Sequence, residues 1–120
     1  MNPQLYAGLE VADRYQVRMA RRRTHADKID KIFYAVSEVT GVTKEAMQNK
    51  GRTQIVSDAR HIFCYMAWKL TELPLQVIGE KINRHHATVI HSRDTVDGLK
   101  EIDKVFRSKL EEATEIYMSS

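Results

Sequence analysis

The chain has 120 residues, 42% of them hydrophobic and 29% charged, which indicates one small folded domain and excludes both a disordered chain and a large multidomain enzyme. The sequence has a single cysteine, Cys64, which excludes an internal disulfide and a zinc site built from cysteines. It shows neither a signal-peptide pattern nor an apolar run of roughly 20 residues, so we expect a cytoplasmic protein with no membrane association. The net charge of +3 comes mainly from the first 60 residues, which have eleven Lys or Arg against seven Asp or Glu. This positive excess has two explanations, contacts with nucleic-acid phosphates or an ordinary solvated surface.

Residues 1–24 are predicted to form a separate basic helix or arm. Pro3 suits a first helical turn, and apolar side chains recur at helical spacing from Leu5 to Met19 before the run Arg21–Arg23. Cations at the end of a helix complement its dipole, so the triplet has a structural explanation beside that of an arm lying along DNA or a partner. Both explanations stay open, as does an interface with a second copy or another protein through residues 1–24.

Residues 25–120 have the pattern of a helical domain. A helix is predicted from an N-cap at Thr24, with Asp27 as its acidic partner, to an end at Gly41. A turn at KEAMQ capped by Thr43, an exposed basic loop at residues 49–54 and a long helix at residues 55–71 follow. Pro74 opens a short helix, a break follows at residues 83–84, and helices are predicted at residues 86–99, ending near Gly98, and from about residue 102 onward. Only two prolines and five glycines are present, which favours helices over a sheet with many turns.

Residues 74–97 have the pattern of a helix-turn-helix: a short helix, a polar turn and a second helix. In this motif the first residues of the second helix enter the major groove of DNA. Their side chains here can hydrogen-bond bases or contact a thymine methyl group. The predicted base contacts are His85, His86, Ala87 and Thr88. Because many helical domains contain two helices around a polar turn, this pattern alone does not establish DNA binding.

Two longer runs make the interpretation specific. IGEKINRHHATVIHSRDTV resembles the signature of the C-terminal DNA-binding domain of the bacterial replication initiator DnaA, and NKGRTQIVSDARHIFCYMAWKLT resembles the basic loop and long helix of that family. The similarity covers residues 25–118. It implies a compact all-α domain with a helix-turn-helix, of the DnaA C-terminal or Trp-repressor-like type, here preceded by an extra N-terminal helix. It also implies sequence-specific binding of double-stranded DNA, linked to replication initiation or its regulation.

The resemblance implies roles for individual residues. Arg52 matches the loop arginine that enters the minor groove, and Arg60 matches an arginine that contacts phosphate. His86 and Thr88 match residues that read or adjoin bases. The predicted phosphate or minor-groove contacts are Lys50, Arg52, Arg60, His61, Arg84 and His91.

Four positions depart from the family pattern. One is Gln54, which is less basic than the family's loop residue, so weaker attraction to phosphates is expected there. The family usually has Asp where this chain has His85, Thr where it has Ala87, and a basic residue where it has Thr95. An Asp carboxylate accepts a hydrogen bond from cytosine N4, which a neutral imidazole does through only one ring nitrogen. A DNA site different from the family's usual box is therefore expected.

An enzyme is not expected. Cys64 lies in the apolar run IFCYMAW, which favours a buried, inert thiol over a nucleophile. His86 and His91 are five residues apart, whereas two metal-binding histidines on a helix are three or four apart. No glycine begins a GxxxxGK[ST] phosphate loop, so we expect no nucleotide, no metal and no other cofactor, and no ATPase module in this chain.

A helical protein-interaction module and a small transcriptional regulator are the alternatives. The first would use apolar side chains as a shared surface, although the same side chains can simply complete the domain's own core. These side chains are Leu5, Tyr6, Leu9, Tyr15, Met19 and Trp68. Binding that shows no preference among DNA sequences would favour the interaction module.

Overall fold

A computed structural model describes residues 27–120, which form six helices and, within that range, no strand. The helices are α1 (residues 27–40), α2 (Lys44–Gln48), α3 (Gln54–Leu70), α4 (Leu75–Lys81), α5 (His86–Ile102) and α6 (Lys104–Ser119). The all-α prediction is confirmed for these residues. The predicted basic helix of residues 1–24 lies outside the described range. None of the helices within that range is long and apolar enough to cross a membrane.

The long helix α3 is the centre of the core. It contacts α2, α4, α5 and α6, and α1 packs on it through Phe33, whose ring stacks on Phe63 with 4.1 Å between centroids. The apolar face predicted for α3 is buried from Ala59 to Ala67, as its helical spacing requires. Ile55 was predicted to belong to that face, but 48% of it is exposed, because it lies in the first turn of α3, before the buried stretch begins.

The helix ends agree with the predicted signals at three places and differ at one. Thr43 caps α2, with its hydroxyl accepting from Ala46 N at 3.1 Å, and Gly41 follows α1 with a φ of 74°; both match predictions from helix-end chemistry. Pro74 directly precedes α4, as predicted. The predicted end of α5 at Gly98 is wrong, since the helix continues to Ile102.

The turn between α4 and α5 is closed around Gly79. Its carbonyl accepts hydrogen bonds from Ile82 N at 3.1 Å and from Arg84 N at 2.8 Å. A Cβ added at Gly79 would overlap the Arg84 carbonyl oxygen and lie 3.3 Å from the carbonyl carbons of both Arg84 and His85. Asn83 has a φ of 57°, a left-handed conformation that Asn tolerates better than most residues. The close approach at Gly79 and the left-handed Asn83 together allow α5 to start immediately after α4.

Candidate nucleic-acid interface

The four predicted base contacts lie at the start of α5. His85 is the N-cap, and its Nδ1 accepts a hydrogen bond from Ala87 N at 3.2 Å. The rings of His85 and His86 lie 4.1 Å apart between centroids, tilted by 39°. His85, His86 and Ala87 are exposed, and Thr88 is half-buried. The first turn of the second helix therefore presents these side chains together, in the position from which a helix-turn-helix reads bases.

Sequence reasoning missed the capping role of His85. A capping side chain satisfies a backbone N–H that the helix itself leaves unpaired, and Asp is among the residues that do this best. The Asp that the family usually has here would therefore suit the helix start as well as a base. The signal was available in the sequence, because residue 85 directly follows the polar break at residues 83–84.

The inward-facing residues of α5 are those that the helical spacing predicted. Val89 and Ser92 are buried, and Ile90 is half-buried. Because these side chains fix α5 against the core, the opposite side of its first turns is left for a ligand.

Arg60 holds the basic loop in place by hydrogen bonds to the backbone, a role called bracing below. Its guanidinium donates to the carbonyl oxygens of Met47 at 2.8 Å and Gly51 at 2.6 Å, and also to that of Asn49. Only 9% of Arg60 is exposed. Burial, followed by the nearby charge of Arg84, lowers the pKa of its guanidinium, which nevertheless stays protonated. Since its donors bind the backbone, the structure gives Arg60 a bracing role, and the phosphate contact stays a prediction.

Arg84 connects the loop to the helix-turn-helix. Its Nη2 donates to the carbonyl oxygen of Asn49 at 2.7 Å, the same oxygen that receives a hydrogen bond from Arg60. Beside it, Gln48 Nε2 donates to the Lys81 carbonyl at 2.8 Å. Arg84 is half-buried, so it too acts first on the protein backbone. The loop that follows residue 49 is thus fixed against the turn that precedes α5.

The basic loop itself faces solvent. Lys50, Gly51, Arg52, Thr53 and Gln54 are all exposed. Neither cation has an acidic partner among the ion pairs of the described residues. The predicted exposure of the loop is confirmed, and contacts of Lys50 and Arg52 with phosphates or a groove stay a prediction.

His61 and His91 meet between α3 and α5. Their ring centroids are 6.0 Å apart in an edge-to-face arrangement. His61 Nδ1 lies 2.8 Å from the hydroxyl oxygen of Ser92, whereas His91 is exposed. Burial, followed by the charge of a protonated His91, lowers the pKa of His61. The two histidines predicted near phosphates are therefore adjacent, although they come from different helices.

The structure places the thiol of Cys64 in the core, away from solvent. Cys64 is fully buried, as predicted, and burial raises the pKa of its thiol to about 12, so the thiolate is not formed at neutral pH. Within residues 27–120, no three His, Cys, Asp or Glu side chains are grouped to hold a metal ion. A groove of about 630 Å³ lies between α3, α5 and α6, but neither histidine nor cysteine lines it.

Comparison with known proteins agrees with this geometry. Residues 29–96 match the family model described as the bacterial dnaA protein helix-turn-helix. The chromosomal replication initiator protein DnaA of Bacteroides fragilis is 38% identical over 104 residues, which cover 86% of this chain and 22% of that protein. The initiator proteins of Bacteroides thetaiotaomicron and Porphyromonas gingivalis are each 33% identical, over 87% and 91% of this chain.

The match is confined to one part of these relatives. The chain spans about a fifth of the length of the initiator proteins it matches, and the family model covers the stretch from α1 through most of α5, including the basic loop and the turn. This stretch holds every residue predicted to contact DNA. The chain belongs to the bacterial DnaA helix-turn-helix family and contains the DNA-binding domain of that family.

Proposed function

We propose that this domain binds duplex DNA sequence-specifically, with the first turn of α5 in the major groove and the loop of residues 50–52 at the adjacent minor groove. This binding serves the initiation of chromosomal replication or its regulation. The observation that carries the proposal is the carbonyl oxygen of Asn49, which accepts from both Arg60 and Arg84. It ties the loop to the turn, so that the two DNA-reading elements form one unit.

Each proposed contact has its own chemistry. His86 and Thr88 offer an imidazole nitrogen and a hydroxyl to base edges, and His85 keeps Nε2 for a base because Nδ1 is used in capping. Lys50 and Arg52 supply the charge that attracts the backbone. His61 and His91 lie near the phosphates, whereas Arg60 and Arg84 hold the loop, and a phosphate contact from either arginine is a second role that remains part of the proposal.

Selection of bound sequences from a random duplex pool tests sequence-specific binding. We expect one enriched motif, and we expect His86→Ala and Thr88→Ala each to reduce preference for it by roughly 1 to 3 kcal/mol, because each removes a base contact. Binding to unrelated duplexes should change far less. Glu101→Ala is the matched control, since this exposed residue lies at the other end of α5. If no motif were enriched, the protein-interaction alternative would be favoured.

The salt dependence of binding tests the basic loop. Lys50→Ala and Arg52→Ala should weaken binding to all duplexes and reduce the slope of log K against log salt by roughly 0.9 per lost phosphate contact, because fewer counterions are released. Arg52→Ala should also reduce any preference for A/T-rich flanks, where the minor groove is narrow and more negative. Lys104→Ala, an exposed lysine at the start of α6, should leave the slope unchanged. If Lys50→Ala and Arg52→Ala gave the same salt slope as Lys104→Ala, the loop would not contact phosphates.

A further inference from the structure

Ser92 is a polar residue in an apolar position. It lies on the buried face of α5 with 1% of its surface exposed, and its hydroxyl oxygen is 2.8 Å from Nδ1 of His61 on α3. A buried hydroxyl that lacks an acceptor costs stability. If the Ser92 hydroxyl donates to Nδ1 of His61, that nitrogen is an acceptor and the imidazole proton must lie on Nε2. The group that accepts the Ser92 proton therefore determines the tautomer of His61.

The other acceptors available to that proton are unsuitable. Thr40, Thr71 and Thr114 donate to the carbonyl four residues earlier in their helices, but among the hydrogen bonds of the described residues Ser92 makes no such bond to Thr88. The hydroxyl of Ser92 is joined to His61 Nδ1, and no hydrogen bond among the described residues joins it to the thiol of Cys64. A thiol sulfur is also a much weaker acceptor than an imidazole nitrogen. The acceptor left for the Ser92 proton is His61 Nδ1.

We propose that Ser92 is a positioning residue for DNA binding: it donates to Nδ1 of His61, places the imidazole proton on Nε2, and so presents that N–H beside His91 as a donor to a DNA phosphate. A neutral imidazole has one N–H, and the hydrogen bond at one nitrogen decides which nitrogen carries it. The opposite tautomer would offer the phosphate only a lone pair. The phosphate step rests on the proposed function, whereas the Ser92–His61 bond does not.

The surroundings of His61 keep it neutral. Burial has the largest effect and lowers its pKa, and the charge of a protonated His91 on α5 lowers it further; Asp58 on α3 raises it, and Arg60 on α3 lowers it. The net direction is downward, so at neutral pH and above the imidazole donates as an uncharged group. Loss of this donor should therefore weaken DNA binding without changing the salt slope, in contrast to loss of Lys50.

The nitrogen-15 shifts of the imidazole ring test the tautomer in the protein without DNA. At neutral pH we expect His61 to carry its proton on Nε2, and we expect Ser92→Ala to produce a mixture of both tautomers. The exposed His86 is the internal reference, and its shifts should not respond to the change at Ser92. A proton on Nδ1 of His61 in the unaltered protein would overturn the proposal, whatever the DNA affinity.

Substitutions at His61 test the phosphate step. The amide of His61→Gln places an N–H near the position of Nε2, whereas that of His61→Asn lies near Nδ1. We expect His61→Asn to weaken binding to all duplexes about tenfold, the effect of one lost hydrogen bond to a charged group, and His61→Gln to retain most of the affinity. Ser92→Ala should weaken binding about threefold in the natural background and have no effect beside His61→Gln.

The double variant separates positioning from simple packing. If Ser92→Ala weakened binding equally in the presence of Gln at position 61, Ser92 would act only through the fold, and the proposal would be overturned. If the unaltered protein bound no duplex, the proposed function would fail together with the phosphate step, and the nitrogen shifts would still decide the Ser92–His61 bond. A salt slope that fell in His61→Asn would indicate a charged imidazole and contradict the neutral donor.

Discussion

Arg60→Ala is expected to lower the free energy of unfolding by about 2 to 3 kcal/mol. The guanidinium satisfies the carbonyl of Met47, a fully buried residue, and also those of Asn49 and Gly51. A buried carbonyl left without a donor costs about 1 to 3 kcal/mol, whereas water can replace the bonds of the exposed ones. Chemical denaturation of the protein without DNA measures this effect.

Arg107→Ala is the matched control for Arg60→Ala. Arg107 is a half-buried arginine on α6 that donates to one backbone carbonyl, that of Lys100, at 3.1 Å. Its loss should cost no more than about 1 kcal/mol, the net value of a typical hydrogen bond. Equal losses in the two variants would contradict a bracing role for Arg60.

Arg60→Lys distinguishes bracing from a direct phosphate contact. Lysine keeps the positive charge but concentrates its donors on one nitrogen, so it does not reproduce bonds that spread across four carbonyls, those of Met47, Gly51, Asn49 and Ala46. We expect the unfolding free energy to fall by at least half as much as with alanine. If Arg60 only contacted phosphate, the lysine variant would keep nearly the full free energy of unfolding. Its slope of log K for DNA binding against log salt would also be unchanged, because the charge is retained.

The helical architecture was predictable because its signals are local. Apolar spacing placed α1, α3 and α6, and Phe106, Leu110, Ala113 and Tyr117 are all buried as predicted. The boundary between α5 and α6 was not predicted correctly. Gly98 suggested a helix end, but space around it is open, and the break lies at Asp103, whose carboxylate accepts from Phe106 N at 3.0 Å. A helix tolerates one glycine when a stronger cap follows.

The residues of the candidate site could be predicted from the sequence, but which of them face solvent and which hold the backbone could not. Exposure of Lys50, Arg52 and the first turn of α5 followed from their polar, loop-like setting. By contrast, the bracing by Arg60 and Arg84 depends on carbonyls 9 to 35 positions away. Such a partnership exists only after the chain has folded. A long-range backbone contact leaves no periodic pattern in the sequence, so an arginine that holds a loop looks the same as one that binds a phosphate.

Gly79→Ala is expected to lower the free energy of unfolding by about 3 kcal/mol. The new Cβ would overlap the carbonyl oxygen of Arg84, and since that atom belongs to the backbone it cannot move aside as a flexible side chain would. Strain of this kind typically costs 1 to 3 kcal/mol. The turn would also have to open, which weakens the hydrogen bond from Arg84 N to the Gly79 carbonyl. Denaturant unfolding of the DNA-free protein measures the loss.

Gly98→Ala provides the opposite expectation within the next helix. Gly98 is exposed in the interior of α5, and no atom lies within 4 Å of an added Cβ. Alanine is favoured over glycine in such a position by roughly 0.5 to 1 kcal/mol, so this variant should unfold at higher denaturant concentration. Its affinity for the selected DNA should be unchanged, whereas Gly79→Ala should lose affinity as the first turn of α5 shifts away from the loop. Comparable stability and DNA affinity in the two variants would mean that the close approach at Gly79 does not fix the position of α5.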